Sequence, residues 1–305
     1  MKQTLQARVV ATFGRHMSVR TADGRCLPAR PFGRSLTAVC GDHVLCRLDP
    51  HHAELHVVEV LPRRTALYRS NLRGGAEAVV ANLTQLLVVL APRPAPDLFV
   101  VDRYLAAAAS ADIAVTLVMN KEEQGLDAAL AAARAEYAAA GYGWVGCSAH
   151  TGAGLDALLG AMAPGAVAAL VGQSGVGKSS LLRRLVPQAQ VAIGELVREE
   201  EGRHTTTVAR EFELPEQRAL IDSPGVRDFT PAVDRLDPRT LGFVEVGRLA
   251  GGCRFQDCRH MREPDCAVHA AAGSGELSAR RYESYRRLRR LHEELTDRRG
   301  PRRGR

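Results

Sequence analysis

The stretch GQSGVGKSS, from Gly172 to Ser180, sets three glycines, a lysine and serines in a spacing suited to holding nucleotide phosphates. The residues Gly172, Gln173, Ser174, Gly175, Val176, Gly177, Lys178 and Ser179 match the phosphate-loop pattern, and Ser180 extends the set of expected nucleotide contacts. Glycines at these positions let backbone N–H groups converge on a phosphate, and a helix that starts there adds its partial positive charge. Lys178 is placed to reach the β- and γ-phosphates, and the Ser179 hydroxyl to ligate Mg²⁺. An apolar run, AVAALVG, leads into the loop and SSLLRRLV leaves it, which gives the strand-then-helix context that the pattern requires.

Asp222-Ser223-Pro224-Gly225 follows the apolar run RALI. A carboxylate at a strand end can hold a Mg²⁺-bound water, and the Gly225 N–H can sense a γ-phosphate. By itself DSPG is also an ordinary turn. Between this segment and the phosphate loop lies GRHTTT, from Gly202 to Thr207. Thr206 is the favoured Mg²⁺ ligand there, with Thr205 as its competitor. The plain alternative is that the three threonines open the strand that runs into REFEL.

A base-reading loop completes the set, out of its usual order. Asn120-Lys121 follows the apolar run AVTLVM, and Glu123 stands where guanine-reading loops carry Asp. An acid at that position accepts from guanine N1–H and the 2-amino group, a pair that adenine lacks. Glu123 supplies the same carboxylate on a stem one methylene longer, which either preserves that readout or weakens it. Ser148 and Ala149 form the start of a second base loop, whose backbone N–H can bond guanine O6. The order along the chain is base, base, phosphate, switch, switch. A circular permutation explains it, and it leaves both switch segments feeding into whatever follows residue 230.

That C-terminal region opens with Cys253, Cys258, His260 and Cys266. Three thiols and an imidazole match one structural, tetrahedral Zn²⁺ site with no open position. Free cytosolic thiols are the competing reading, and His269, nearby but outside the pattern, reads as structural. From Ser278 onward the chain carries 11 Arg against 4 acids. Tyr282, Tyr285, Leu288, Leu291 and Leu295 fall on one helical face there. Such Arg-rich ends bind phosphate backbones or simply keep a chain soluble.

The remaining sequence must position these groups. The chain has 305 residues, 46% of them hydrophobic, enough for two or three domains. It carries a formal charge of +7, yet lysine occurs only at positions 2, 121 and 178, so Arg makes up 38 of the 41 basic residues. Two of the three lysines therefore sit in the candidate nucleotide loops, where a compact ammonium is needed. No apolar run reaches membrane-span length and the start lacks an apolar signal core, so a soluble, cytoplasmic protein with no membrane association is expected. Up to about residue 65, ARVVATF, HMSVRTA, DHVLCRL and ELHVVEVL read as short strands, with Asp23-Gly24 as a hairpin turn. A barrel of the OB type fits them, whether it binds nucleic acid or only packs. From Leu83 to about residue 230, strands alternate with helices, which implies a parallel sheet covered on both faces. The expected division is 1–65 barrel, 66–230 permuted P-loop GTPase domain of α/β class, 231–297 helical zinc-binding domain, and 298–305 basic disordered tail.

With these parts in this order, the sequence resembles the ribosome small subunit-dependent GTPase A (RsgA) family. The most specific elements are GQSGVGKSSL, GRHTTT, DSPGVR, CRFQDCRHMREPDCAV and the VDRYL that precedes the base loop. Glu123 departs from the family's usual Asp, and Thr84 stands where the family often has Asp. The resemblance implies a GTPase that acts late in small-subunit maturation and is stimulated by that subunit. Its partners would be GTP or GDP, the small (30S) ribosomal subunit and its 16S rRNA, and its cofactors one Zn²⁺ and the Mg²⁺ that accompanies GTP. Nothing in the sequence asks for an obligate dimer, so a monomer is expected. Ras-like enzymes orient the attacking water with a Gln where this chain has Val226. The resemblance assigns that catalytic role to His204 instead. A different class of reading is an RNA-binding assembly module with a vestigial nucleotide site, but intact Lys178, Ser179, Asp222 and the Thr run favour the enzyme. A permuted GTPase of large-subunit assembly fits the Arg-rich end but not the zinc pattern.

Overall fold

In the computed structural model, the N-terminal strands close into a five-stranded barrel. They are β1 (Thr4–Phe13), β2 (His16–Thr21), β3 (Cys26–Pro31), β4 (His43–Leu48) and β5 (Leu55–Val60). The strand order is β1-β2-β3-β5-β4, and β4 returns to β1, which is the OB arrangement. The structure describes residues 4–33, 35–48, 55–70, 75–187, 208–227 and 230–297. The β2–β3 hairpin turns at Gly24, as the Asp-Gly pair predicts, with φ of +83°. Strand β3 completes the hairpin that this turn implies, although its segment CLPARP was not among the strands read from sequence. Pro28 falls within its pairing with β2, and Pro31 within its short parallel pairing with β5. Val9, Met17, Val19, Val44 and Val57 fill the barrel.

A hairpin, β6 (Ala66–Ser70) and β7 (Ala76–Ala81), leads from the barrel to the central sheet. That sheet contains β8 (Gln85–Leu90), β9 (Ala114–Met119), β10 (Gly143–Gly146), β11 (Val167–Val171), β12 (Val208–Glu213) and β13 (Ala219–Asp222). Their order is β10-β9-β8-β11-β13-β12, all parallel except β12. The chain enters the sheet at β8 and builds β9 and β10 before it reaches the central phosphate-loop strand β11. This is the circular permutation that the motif order predicts.

All six residues of β8 are buried, as a strand covered on both faces requires. Leu86, Val88 and Leu90 face one core, and Leu87 and Val89 the other. Helices α1 (Leu98–Ser110), α2 (Ala128–Ala139), α3 (Leu155–Gly160) and α4 (Lys178–Leu185) flank the sheet. The first is capped by Asp97, whose Oδ1 accepts from the Phe99 and Val100 N–H groups, and the second by Asp127, which accepts from Leu130 N–H. Thr84, the departure noted above, ties β8 to β11: its Oγ1 accepts from Val167 N–H at 2.9 Å and lies 3.3 Å from the Val167 carbonyl.

The C-terminal part contains α6 (Val244–Leu249), α7 (Ala267–Ser274) and α8 (Ala279–Asp297), preceded by the single turn α5 (Pro224–Arg227). It shares one continuous core with the central sheet, to which α1 contributes Tyr104 and Leu105 and the C-terminal part Phe243, Val246, Tyr285 and Leu288. The Arg-rich end was read as a phosphate-binding or solvated segment, and three of its arginines are neither. Arg281, 1% exposed, pairs bidentately with Glu245 at 2.6 and 2.8 Å and with Asp102 at 2.7 Å. Arg280 reaches Asp102 and Glu136. Arg289 donates to the Pro238 and Arg239 carbonyls. Through Asp102 and Glu136, Arg280 and Arg281 tie α8 to α1 and α2, and Arg289 ties it to the start of its own domain. Residues 298–305 lie outside the described residues.

Candidate nucleotide site and metal centre

The phosphate loop spans the gap between β11 and α4, and its shape depends on two glycines. Gly172 has φ of +142°, and a Cβ there would come 2.2 Å from the Val89 carbonyl oxygen of the neighbouring strand. Gly177 has φ of +95°, and a Cβ there would come 2.3 Å from Asn120 Nδ2. Only a residue without a side chain fits at either point. Lys178 is buried, and its Nζ donates to the Gly172 and Gln173 carbonyls at 2.6 and 2.9 Å. The ammonium is thereby held inside the loop. Gln173, Ser174, Gly175 and Ser179 are exposed, Ser180 is half-buried, and Val176 points its side chain into the core. Val176 thus belongs to the site through its backbone alone.

Asn120 is 1% exposed and joins three loops. Its Nδ2 donates to the Val176 carbonyl at 2.8 Å, and its Oδ1 accepts from Ala149 N–H at 2.9 Å. Lys121, in the left-handed region at φ of +60°, turns its Nζ to the Gly175 and Arg93 carbonyls at 2.7 and 2.8 Å. The loops that the sequence separates are therefore brought together at the C-terminal edge of the sheet. Glu123 is exposed beside them; a hydrogen bond from the Ser148 side chain holds its carboxyl below the usual carboxylate range. The longer stem thus still brings this carboxylate to Ser148. Ser148 and Ala149 are buried, and WVGCSA divides into strand β10 and this loop.

Asp222 ends β13, the parallel neighbour of β11, so its carboxylate and the phosphate loop leave the same edge of the sheet. Gly225 follows in α5. Val226 is 1% exposed and packed in the core, so its side chain is directed away from the site. His204, Thr205 and Thr206 lie outside the described residues.

One residue, Arg184, and one bond of Gln173 were not foreseen from sequence. Arg184 clamps the second base loop, donating to the Ala149 and His150 carbonyls at 2.9 and 2.7 Å. Gln173 accepts from Asp97 N–H at 3.2 Å, which ties the phosphate loop to the cap of α1. Both act on backbone groups across long stretches of chain, and no local pattern announces such bonds.

The RsgA GTPase family matches residues 60–231, more than half of the chain. The chain belongs to the RsgA GTPase family. The small ribosomal subunit biogenesis GTPase RsgA of Pseudomonas aeruginosa is 39% identical over 289 residues, covering 92% of this chain and 84% of that one. The protein of the same name from Azotobacter vinelandii is 40% identical over 300 residues, covering 92% and 83%. A crystal structure of YjeQ from Thermotoga maritima aligns over 98% of this chain and 100% of its own, with a TM-score of 0.71 and 26% identity. YloQ, a circularly permuted GTPase, shares the fold with a TM-score of 0.69. As a member of the RsgA family this chain is a GTP hydrolase, and its permuted sheet is the family's architecture.

The cysteine and histidine residues of this RsgA-family chain form a second centre. The ligand atoms of Cys253, Cys258, His260 and Cys266 all lie within 4.8 Å of one another, a geometry able to hold a metal ion. His260 Nδ1 is 3.4 Å from Cys253 Sγ and 3.5 Å from Cys266 Sγ, and the two sulfurs are 3.9 Å apart. Helix α8 secures the loop. Tyr282 and Tyr285, two members of the stripe read from sequence, donate their hydroxyls to the His260 and Arg259 carbonyls at 2.8 and 2.9 Å. Glu263 accepts N–H bonds from Arg259, Met261 and Arg262 at the base of the loop. His269 lies outside the ligand set; its backbone N–H donates to Cys266 Sγ and its ring lies against Tyr282.

Proposed function

We propose that this protein hydrolyses GTP to GDP and phosphate during late maturation of the small ribosomal subunit, and that docking on the subunit stimulates it. The carrying observation is the Asn120 junction, which gathers the two base loops and the phosphate loop at one edge although the chain presents them in permuted order. The relatives named above, small ribosomal subunit biogenesis GTPases, supply the partner.

In this reading Glu123 accepts from guanine, Ser148 orients Glu123, and Ala149 offers its N–H to the base. Gly172 to Gly177 wrap the phosphates with backbone N–H groups, Lys178 neutralises them, and Ser180 lies beside them. Ser179, in the first turn of α4, and Asp222, at the end of β13, together with Thr206, would hold the Mg²⁺ that neutralises charge on the nucleotide. Gly225 senses the γ-phosphate. Because Val226 is buried, the water must be oriented elsewhere, and His204 takes that role.

Cys253, Cys258, His260 and Cys266 would hold one Zn²⁺ as a structural site, which fixes the loop and leaves no position for substrate. The fit rests on distances. Tetrahedral zinc with Zn–S of about 2.3 Å and Zn–N of about 2.0–2.1 Å needs S···S near 3.8 Å and S···N near 3.5 Å. The separations among Cys253, His260 and Cys266 lie within about 0.2 Å of both, and Cys258 Sγ is within 4.8 Å of each of them. We assign the domains to 1–65, 66–230 and 231–297, with 298–305 as a basic tail. The barrel and C-terminal domain contact 16S rRNA, and the protein works as a cytoplasmic monomer. Among the described residues no helix is long and apolar enough to cross a membrane.

The test is phosphate release from GTP and from ATP, each with and without purified small subunits. Slow GTP turnover that rises steeply with subunits while ATP stays inert supports the reading. Flat rates despite subunit binding would move the function to an RNA-binding module with a silent nucleotide site.

A further inference from the structure

Among the described strands, one pair joins the barrel to the central sheet, and that joint carries an unusual charge arrangement. The end of β1, Ala11–Phe13, pairs with the start of β12, so the barrel continues the edge of the sheet. Just along β1, Arg8 sits directly opposite Arg20 of β2 on one side and His43 of β4 on the other. Like charges directly opposite each other on neighbouring strands destabilise the pair. Here one carboxylate answers both arginines. Glu211 of β12 has a side chain only 2% exposed; its Oε2 accepts from Arg8 Nε at 2.9 Å and its Oε1 from Arg20 Nη1 at 3.1 Å. Arg20 also spans to Glu213 at 3.0 Å. His43 completes the row, 3.4 Å from Arg8 Nη1, and burial first and Arg8 second lower its pKa.

The position of Glu211 gives this joint its reach. It stands on the strand that leaves the Thr205–Thr207 run and that pairs antiparallel with β13, where Arg210 faces Asp222 and Glu211 faces Ile221. A shift of β12 along the barrel would therefore act on Asp222, the residue assigned to the metal side of the site. We propose that Glu211 is a positioning residue for GTP hydrolysis: held by Arg8 and Arg20, it lets the barrel set the register of β12 and hence the placement of Asp222. This rests on the assignment of Asp222 under the proposed function. It also gives the barrel a direct route to the reaction, in addition to any RNA that it touches.

Glu211→Gln keeps the size of the side chain and removes its charge. Turnover of the full-length protein without subunits is the readout, with KM for GTP, thermal unfolding and Asp222→Asn as controls. We expect the turnover number of Glu211→Gln to fall about tenfold with KM within about twofold, because Asn120, Lys121 and Lys178 bond the phosphate and base loops to one another and not to Glu211. Arg20→Ala, on a partly exposed side chain that tolerates truncation, should move in the same direction. The double variant should be no slower than the slower single one, since both cut the same link. Full turnover in folded Glu211→Gln or Arg20→Ala, beside an impaired Asp222→Asn, overturns the proposal alone, as do additive effects. Full turnover in Asp222→Asn overturns the assignment of the metal side and the proposal with it. Subunit stimulation of the wild type is scored separately, so loss of the ribosomal reading leaves this result standing.

Discussion

Asn120 donates its side-chain amide to the Val176 carbonyl at 2.8 Å, so the base loop is fastened to the phosphate loop through protein alone. In a chain whose halves have been exchanged, that bond matters twice. It spans 56 positions, and it ties a loop built before the phosphate loop to the loop itself. The same amide oxygen holds Ala149, so one buried side chain sets the relative placement of three nucleotide-facing segments.

Replacing Asn120 with Ala should therefore affect affinity and stability together. The Val176 carbonyl and the Ala149 N–H would both lose their buried partner, a cost of about 1–3 kcal/mol for each such group. We expect GDP binding, followed with a fluorescent analogue, to weaken by more than about tenfold, with a lower unfolding midpoint in urea. Gly177→Ala should reproduce the loss of affinity, because its Cβ would collide with the same amide. Unchanged affinity in either variant would remove the junction from the site.

Glu123 is a direct test of base reading. Its carboxylate is held below the usual range by the Ser148 hydroxyl, so it is ionised at neutral pH and able to accept from guanine. Glu123→Ala should lose guanine affinity, and Glu123→Asp should keep it. Glu123→Gln should turn preference toward xanthosine nucleotides, since an amide N–H matches the 2-oxo group of xanthine where a carboxylate matches the 2-amino group of guanine. Competition binding with GDP, XDP and ADP separates these outcomes. A Glu123→Ala variant that still prefers GDP over ADP would assign the readout elsewhere.

Local sequence made the nucleotide loops legible because each chemistry needs a fixed spacing within a few residues. The phosphate loop, the Asn120 loop and the Cys253–Cys266 ligand set all depend on neighbours in the chain. Pairing over long distances was not legible in this way. The junction of β1 with β12, the answer of Glu211 to Arg8 and Arg20, and the clamp of Arg184 on Ala149 join positions that no window of sequence contains. Strand β3 was implied only through its hairpin turn at Asp23-Gly24. The arginines of α8 misled for a related reason: Arg reads as surface charge until its carboxylate partners, Asp102, Glu136 and Glu245, are brought to it by the fold.

Those partners make a sharp stability prediction. Arg281→Ala leaves buried Glu245 without its counter-charge and takes one of two from Asp102, which keeps Arg280, a loss that costs about 3–5 kcal/mol. Arg290→Ala, on the exposed side of the same helix and 3.8 Å from Glu283, should change stability by less than about 1 kcal/mol. Urea unfolding compares the two. Equal effects would mean that α8 is held by its apolar stripe alone.

The loop that carries the metal ligands should show an acid dependence of its own. Burial would raise the Glu263 pKa, but backbone N–H groups of Arg262, Glu263 itself, Met261 and Arg259 outweigh it and bring the group down to about 2. A folded pKa below the ordinary value of 4.5 stabilises the fold at pH above that value, and the contribution disappears as pH falls toward about 2. The difference in unfolding temperature between wild type and Glu263→Gln should therefore be full above about pH 5 and shrink steadily below it. A constant difference over that range would show that Glu263 acts through shape and not through charge.

Val226 bears on the question of the missing water-orienting group. A simple substitution argument would restore a Ras-like Gln there and expect faster intrinsic turnover. The structure gives the opposite expectation, because the Val226 side chain is 1% exposed and packed in the core that lies against α1 and the C-terminal helices. An amide forced into that position lacks a partner and costs about 1–3 kcal/mol. Val226→Gln should lower the unfolding temperature and leave turnover without subunits unchanged or reduced. A rise in turnover would mean that α5 can rotate residue 226 out of the core and toward the nucleotide, and it would weaken the case for His204 as the group that orients water.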